Sequence, residues 1–200
     1  MQWRELKVKI IGKLYIIYSP INRIRLRLNG ATIGKKFKSR GFIRIQNPRG
    51  KLIIKDNVRI NSAEWANPIG YCGKTNFQIL GDGIVEIGEG TGLSSVSITC
   101  TNKICIGRNV LLGAGVKIYD TDFHPLSSKM RYAGQQDQSM VRAKPIVIGD
   151  GTFIAAGVII LKGSCIGKNC VVGAGSVVSG NIPDNQIWAG NPAKLIRNNE

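Results

Sequence analysis

The sequence predicts an all-β solenoid: three flat walls wound as a parallel β-helix of six-residue repeats, with one extruded loop and a short C-terminal tail. Three observations carry the prediction. An aliphatic side chain recurs at every sixth position over a long stretch of the C-terminal half. Glycine is abundant, 25 of 200 residues, against an average of about 7%. Aromatic residues make up only 6% of the chain, so small aliphatic side chains must fill the interior.

The period shows most clearly at Ile148, Ile154, Ile160, Ile166, Val172 and Val178. A small residue follows at Gly149, Ala155, Gly167 and Gly173, although Leu161 and Ser179 break that rule. Four places after each aliphatic comes a modest side chain: Thr152, Val158, Ser164, Cys170 and Ser176. The same beat runs through Ile106, Leu112 and Ile118. A helix would put residues six apart on nearly opposite faces, since each residue turns about 100°. A three-walled coil explains the period: each hexad is one wall and one corner, and stacked coils hydrogen-bond at about 4.8 Å. Gly149-Asp150-Gly151 and Gly167-Lys168-Asn169 suit corners, because these residue types tolerate positive φ. A β-sandwich would show period two and uneven strand spacing instead.

Upstream the beat is less regular. Ile54 and Ile60 are six apart, and Ile33-Gly34 and Ile87-Gly88 look like hexad starts. Ile87 and Ile106 are 19 apart, one more than three hexads, which predicts a bulge or insertion near residues 88–97. We therefore divide the chain into a basic N-terminal segment over 1–50 that caps the solenoid, a β-helix over 51–183, and a tail over 184–200. Residues 124–145 have no periodicity and read as a loop thrust from one corner; long loops of this kind are usually functional or disordered. Ile182-Pro183 ends the prism, and the tail continues as extended chain with a short helix expected around Ala193–Arg197.

The net charge of +16 is concentrated at one end. Residues 1–59 hold 16 basic side chains against Glu5 and Asp56; the remainder is close to balance. Within 1–28, apolar and cationic residues are interleaved, with Val8, Ile10, Ile24 and Leu26 among Lys7, Lys9, Arg25 and Arg27. One reading is a cap over the open end of the prism. A second is peripheral contact with an anionic membrane surface. Nucleic acid is not expected, because the aromatics are not arranged as stacking platforms. No apolar run approaches the roughly 18 residues of a membrane span. Cys72, Cys100, Cys105, Cys165 and Cys170 show no CxxC spacing, and with one histidine no metal set can be assembled. These features point to free thiols, no metal, and the cytoplasm or the inner face of its membrane.

The hexads, a loop opening with Phe123-His124-Pro125, and the ending Ala189-Gly190-Asn191-Pro192-Ala193-Lys194 together resemble the hexapeptide-repeat acetyltransferases. That family includes the galactoside and maltose O-acetyltransferases and many polysaccharide O-acetyltransferases. The resemblance covers about residues 85–197 and implies a left-handed β-helix, acetyl-CoA as acyl donor and a carbohydrate hydroxyl as acceptor. It also implies that His124 is the catalytic base. An imidazole changes charge near neutral pH and can take the proton of a hydroxyl that otherwise attacks a thioester poorly. Asp122 or Asp120 could orient it, as a carboxylate does in a catalytic triad.

The resemblance further implies a coenzyme A groove between subunits of a homotrimer. Its positions fall here on Ala155, Ala156, Gly173 and Ala174 along the pantetheine, with an oxyanion donor at an Ala155–Ala156 backbone N–H. Lys194 and Arg197 match the nucleotide-binding tail, and Lys162 and Lys168 are further cations on the wall. Ser179-Gly180 replaces the family's Thr-Lys pair. Leu93-Ser94-Ser95 stands where the galactoside enzymes carry an acceptor-binding Asn, so Ser94 or Ser95 takes that place and the acceptor's identity is open. Alternatives are an acetyltransferase for an antibiotic or a nucleotide-sugar amine, and a non-catalytic scaffold.

Overall fold

The structure, a computed structural model, describes residues 13–47, 49–70, 73–132 and 141–199. Its strands fall into three parallel walls, as expected of a left-handed β-helix. Wall A contains Thr32–Ile33, Lys51–Ile54, Ile84–Ile87, Lys103–Ile106, Ile146–Ile148, Cys165–Ile166 and Asn181–Ile182. Wall B runs from Lys38–Arg40 through Arg59–Asn61, Gly92–Ser94, Leu111–Leu112, Phe153–Ile154 and Val171–Val172 to Gln186–Ala189. Wall C holds Arg44–Gln46, Asn76–Ile79, Ser97–Cys100, Lys117–Tyr119, Ile159–Leu161 and Val177–Val178. The chain visits A, B and C in turn, so each circuit lays one strand on every wall.

The six-residue beat is the interior of this prism. Ile148, Ile154, Ile160, Ile166, Val172 and Val178 are all at most 2% exposed. They stack in ladders with matching aliphatics of neighbouring coils, Ile106 on Ile148 on Ile166 along wall A. Each such side chain contributes about 1.5–3 kcal/mol by leaving water. The fourth-slot polar residues are buried too, and they lock the corners. Thr152 Oγ1 donates to Gly167 O at 2.7 Å and accepts from Cys170 N at 3.1 Å. At the A–B corner Asn169 takes φ 52°, as its residue type permits.

The solenoid begins earlier than expected. Ile33 and Ile54 are paired on wall A, and Ser39 and Ile60 on wall B, so residues 32–46 form a full first coil. Only what precedes it is a cap. Helix α1 (Tyr15–Leu28) lies across that coil and plugs the open end with Leu26, 1% exposed. The buried side chain of Asn22 fixes it in place. Its amide donates to Ser39 Oγ at 2.9 Å and to Gly41 O at 2.8 Å, and its carbonyl accepts from Ile43 N at 3.2 Å. Residues 1–12, with the apolar and cationic positions read there, lie outside the described residues, as does Cys72.

The insertion expected near 88–97 falls later, and that stretch is instead one residue short. Leu93 and Ile98 are five positions apart and Ile98 and Ile106 eight, in place of six and six. The extra residues belong to the Thr101-Asn102 turn. A second excursion, over 62–75 and including a 3-10 turn at Glu64–Ala66, leaves the B–C corner of the second coil. The expected tail helix is instead a strand, Lys194–Asn198, antiparallel to Gln186–Ala189. A helix of five residues is too short to sustain itself, whereas the last strand of wall B offers an open edge of hydrogen-bonding groups.

Candidate active site at the prism corners

The long loop leaves the C–A corner after Asp120 and returns at Lys144. Its neck is clamped by an antiparallel bridge between Thr121 and Ala143. Flanking bonds run from Asp122 N to Arg142 O at 3.0 Å and from Lys144 N to Asp120 O at 2.9 Å. Beyond the neck the chain turns sharply: His124 N donates to Asp122 O at 2.7 Å, with Phe123 held at φ 63°. A bulky residue there is an outlier that persists only where its surroundings hold it. The Phe123 ring packs edge-on against Tyr119, centroids 5.3 Å apart. The loop then forms helix α2 (Ser128–Tyr132), whose Arg131 donates from Nη1 to the carbonyls of Pro125 and Leu126.

His124 is therefore an exposed side chain mounted on a rigid turn, with no side-chain partner among the described residues. The two aspartates before it differ. Asp120 is fully buried and points inward, continuing the alternation from Ile118. Its carboxylate accepts from Thr101 N and Asn102 N, both at 2.8 Å, and from the hydroxyl of Thr101 and the thiol of Cys100. It caps the enlarged turn and is not free to orient an imidazole. Burial first, and the Asp120 carboxylate second, push the Cys100 thiol far up, which leaves it inert as a nucleophile.

Asp122 lies two residues before the histidine, at the neck of the loop. Its Oδ1 pairs with Lys162 Nζ at 2.6 Å, and the two side chains are 17% and 26% exposed. Its Oδ2 is buried and has no partner among the described residues. A buried carboxylate oxygen left unpaired is costly unless something binds it. Lys162 thus holds Asp122 and is not a free wall cation. Lys168 sits at the remote A–B corner, its backbone N–H on Asp184 Oδ1.

The small residues expected along the donor form a column at a different corner, B–C. Gly113-Ala114, Ala155-Ala156, Gly173-Ala174 and Ala189-Gly190 follow one another up the stack through the wall B register. Two of its glycines leave no room for a side chain: a Cβ on Gly113 would lie 2.7 Å from Ala156 N, and one on Gly173 2.9 Å from Ala189 Cβ. Ala174 is exposed and Ala156 half-buried. The N–H of Ala155 is already given to Val172 O at 2.9 Å, which removes it as an oxyanion donor. Ala189, which the sequence reading passed over, completes the column; its neighbours at Gly113, Ala155 and Gly173 were the available signal. Lys194 pairs with Ala189 and so begins beside this column, with Arg197 farther along the same exposed strand. Ser179 is exposed at the C–A corner, not the donor corner.

Ser94 and Ser95 also separate. The Ser95 hydroxyl donates to Gly73 O at 3.0 Å and anchors the 62–75 excursion, so it is not available to an acceptor. Ser94 opens into a cavity of about 380 Å³ on wall B, lined also by Tyr15, Lys38, Arg59, Asn61 and Phe153. Asn61 Nδ2 donates to Ser94 Oγ at 3.2 Å. Within one chain the histidine corner and the small-residue column stand on opposite edges of wall C, separated by about five extended residues, roughly 16 Å.

Comparison with known proteins agrees with this architecture. Residues 145–180 match the bacterial transferase hexapeptide (six repeats). The chain is 38% identical over 111 residues to a galactoside O-acetyltransferase of Lactococcus lactis, covering 54% of this chain and 51% of that one. It is 38% identical over 103 residues to the galactoside O-acetyltransferase of Escherichia coli, covering 52% and 48%. A solved polysialic acid O-acetyltransferase superposes with a TM-score of 0.67 at 29% identity, over 84% of this chain and 74% of that one. The chain spans about half the length of the curated relatives it matches.

Proposed function

We propose that this hexapeptide-repeat chain is an O-acetyltransferase that moves an acetyl group from acetyl-CoA to a carbohydrate hydroxyl, with His124 as general base. The observation that carries the reading is the exposed imidazole on a strained, clamped turn two residues after Asp122, whose Oδ2 is buried without a partner among the described residues. The names of the galactoside and polysialic acid relatives support a sugar acceptor.

Acetyl-CoA supplies the acetyl group as a thioester, and in this reading its pantetheine arm lies along the column of small residues. In this reading His124 takes the acceptor's hydroxyl proton as the oxygen attacks, then returns it to the departing sulfur. Asp122 Oδ2 accepts the far ring N–H, fixes the tautomer and stabilises the imidazolium. The Ala156 N–H meets the oxygen on which charge builds, a contribution of about 3 kcal/mol by analogy with other oxyanion donors. Ala174 flanks the arm, and Lys194 and Arg197 face the nucleotide phosphates. Ser179, across wall C, contacts the donor only if a neighbouring subunit brings it there. Because the two corners are apart in one chain, we assign the complete site to the junction between subunits of a homotrimer, in the cytoplasm where acetyl-CoA is available.

The test is thiol release from acetyl-CoA across a panel of sugars, for the wild type and His124→Ala. The variant is expected to lose about 10²–10⁴ in kcat while calorimetry shows unchanged coenzyme A affinity. An unaltered kcat would remove His124 from the mechanism, and absence of coenzyme A binding would leave only a scaffold.

A further inference from the structure

Helix α1 has two faces that carry large apolar side chains or buried contacts, and the fold uses only one. Asn22 and Leu26 are buried against the first coil, with Ser19 beside them accepting from Ser39 N. On the opposite side Ile17, Ile21, Ile24 and Leu28 follow the spacing four, three, four that makes a single stripe along a helix. These residues stand in the open: Ile17 is 56% exposed, Ile24 61% and Leu28 82%. A row of large aliphatics in water is unusual and marks an interaction surface.

The charge around the stripe is uniform. From Lys13 to Lys55 the chain has twelve Lys or Arg residues and no acidic residue. Arg25 flanks the stripe on one side and Arg27 on the other, by their angular positions on the helix. The first coil exposes Lys35, Lys36 and Lys38 beneath the helix. Near Arg25, Tyr18 packs against Phe42 and Trp65 at 5.1 and 5.8 Å between centroids. Tyrosine and tryptophan favour the level of lipid headgroups. Two copies meeting stripe to stripe would set these cations against one another, so self-association is opposed. A bilayer carrying anionic headgroups offers hydrocarbon to the stripe and negative charge to its flanks.

We propose that the outer face of helix α1 docks the protein on an anionic membrane surface, with the first coil facing the lipid and the prism rising from it. No helix among the described residues is long and apolar enough to cross a membrane, so the contact is peripheral. The inference stands independently of the acetyl transfer, whose corners lie elsewhere on the prism.

The experiment is sedimentation of the full chain with vesicles of phosphatidylcholine, with and without phosphatidylglycerol, at low and high salt. Binding is expected only with phosphatidylglycerol and is expected to weaken with salt. Ile17→Ser with Ile24→Ser should lower partitioning about tenfold or more. Arg25→Ala with Arg27→Ala should lower it about fivefold per cation. All four positions are exposed, although Arg25 also stands over the Phe42 ring at 5.5 Å, so thermal unfolding should shift by no more than about 5 °C and should certify both variants as folded. Equal binding to pure phosphatidylcholine, or unchanged partitioning of both variants, overturns the proposal. So does a concentration-dependent dimer that Ile17→Ser with Ile24→Ser abolishes, which would give the stripe to a second copy.

Discussion

Asp120 and Asp122 are two residues apart and chemically identical, yet the fold gives them unrelated work. Inward alternation from Ile118 carries Asp120 into the prism, where four donors consume it. Asp122 falls beyond the last wall C strand of its coil, at the neck of the loop, and reaches across to Lys162 of the next coil. His124 was legible in the sequence because it is the sole histidine and interrupts a regular beat. The ion pair was not, since its partners lie 40 residues apart and meet only when the coils stack. If Asp122 orients the imidazole, Asp122→Asn should lower kcat roughly 10²-fold, with KM for acetyl-CoA near the wild-type value. Stability should fall by about 1–3 kcal/mol, because Lys162, only 26% exposed, loses its charged partner. Steady-state kinetics and thermal melts on the same preparation check both. A loss confined to stability, with kcat intact, would reduce Asp122 to a loop clamp.

Elements at the two ends of the prism solve the same problem in different ways. Each end coil exposes unpaired backbone and the rim of the core, and terminal repeats of solenoids need capping. At the C-terminal end a strand does this by pairing along the edge of Gln186–Ala189. At the N-terminal end helix α1 does it with Leu26 and the three hydrogen bonds of Asn22. Local sequence could not choose between helix and strand in either place, because the deciding partner is a coil distant in sequence. The regular coils needed no such information: Ile148 through Val178 carry their own period. Asn22→Ala should therefore strip the partners from Ser39 Oγ, Gly41 O and Ile43 N while adding no new clash. We expect a loss of about 2–4 kcal/mol, read by urea unfolding. A loss below about 0.5 kcal/mol would mean that Leu26 alone seats the helix.

At the scale of the molecule, the prism sets what a single chain can and cannot assemble. A parallel β-helix holds its corners apart by the width of a wall, so residues of different corners never converge unless a loop or a second subunit brings them together. Here the imidazole belongs to the C–A corner and the small-residue column to the B–C corner. Two variants can test whether neighbouring subunits combine them. His124→Ala removes the base. Ala174→Leu, at an exposed position that tolerates bulk without repacking, obstructs the pantetheine lane. Each is expected to be nearly inactive alone when acetyl-CoA is held well below KM. Denatured together in equal amounts and refolded, they should form mixed trimers if the chain assembles as proposed. If each site takes its histidine from one subunit and its column from the next, about a quarter of the sites will pair two unaltered halves by random assembly. Activity should then return to about one quarter of the wild-type rate. If each subunit carries its own complete site, no mixture can pair the intact halves, and the refolded sample will stay as inactive as its parts.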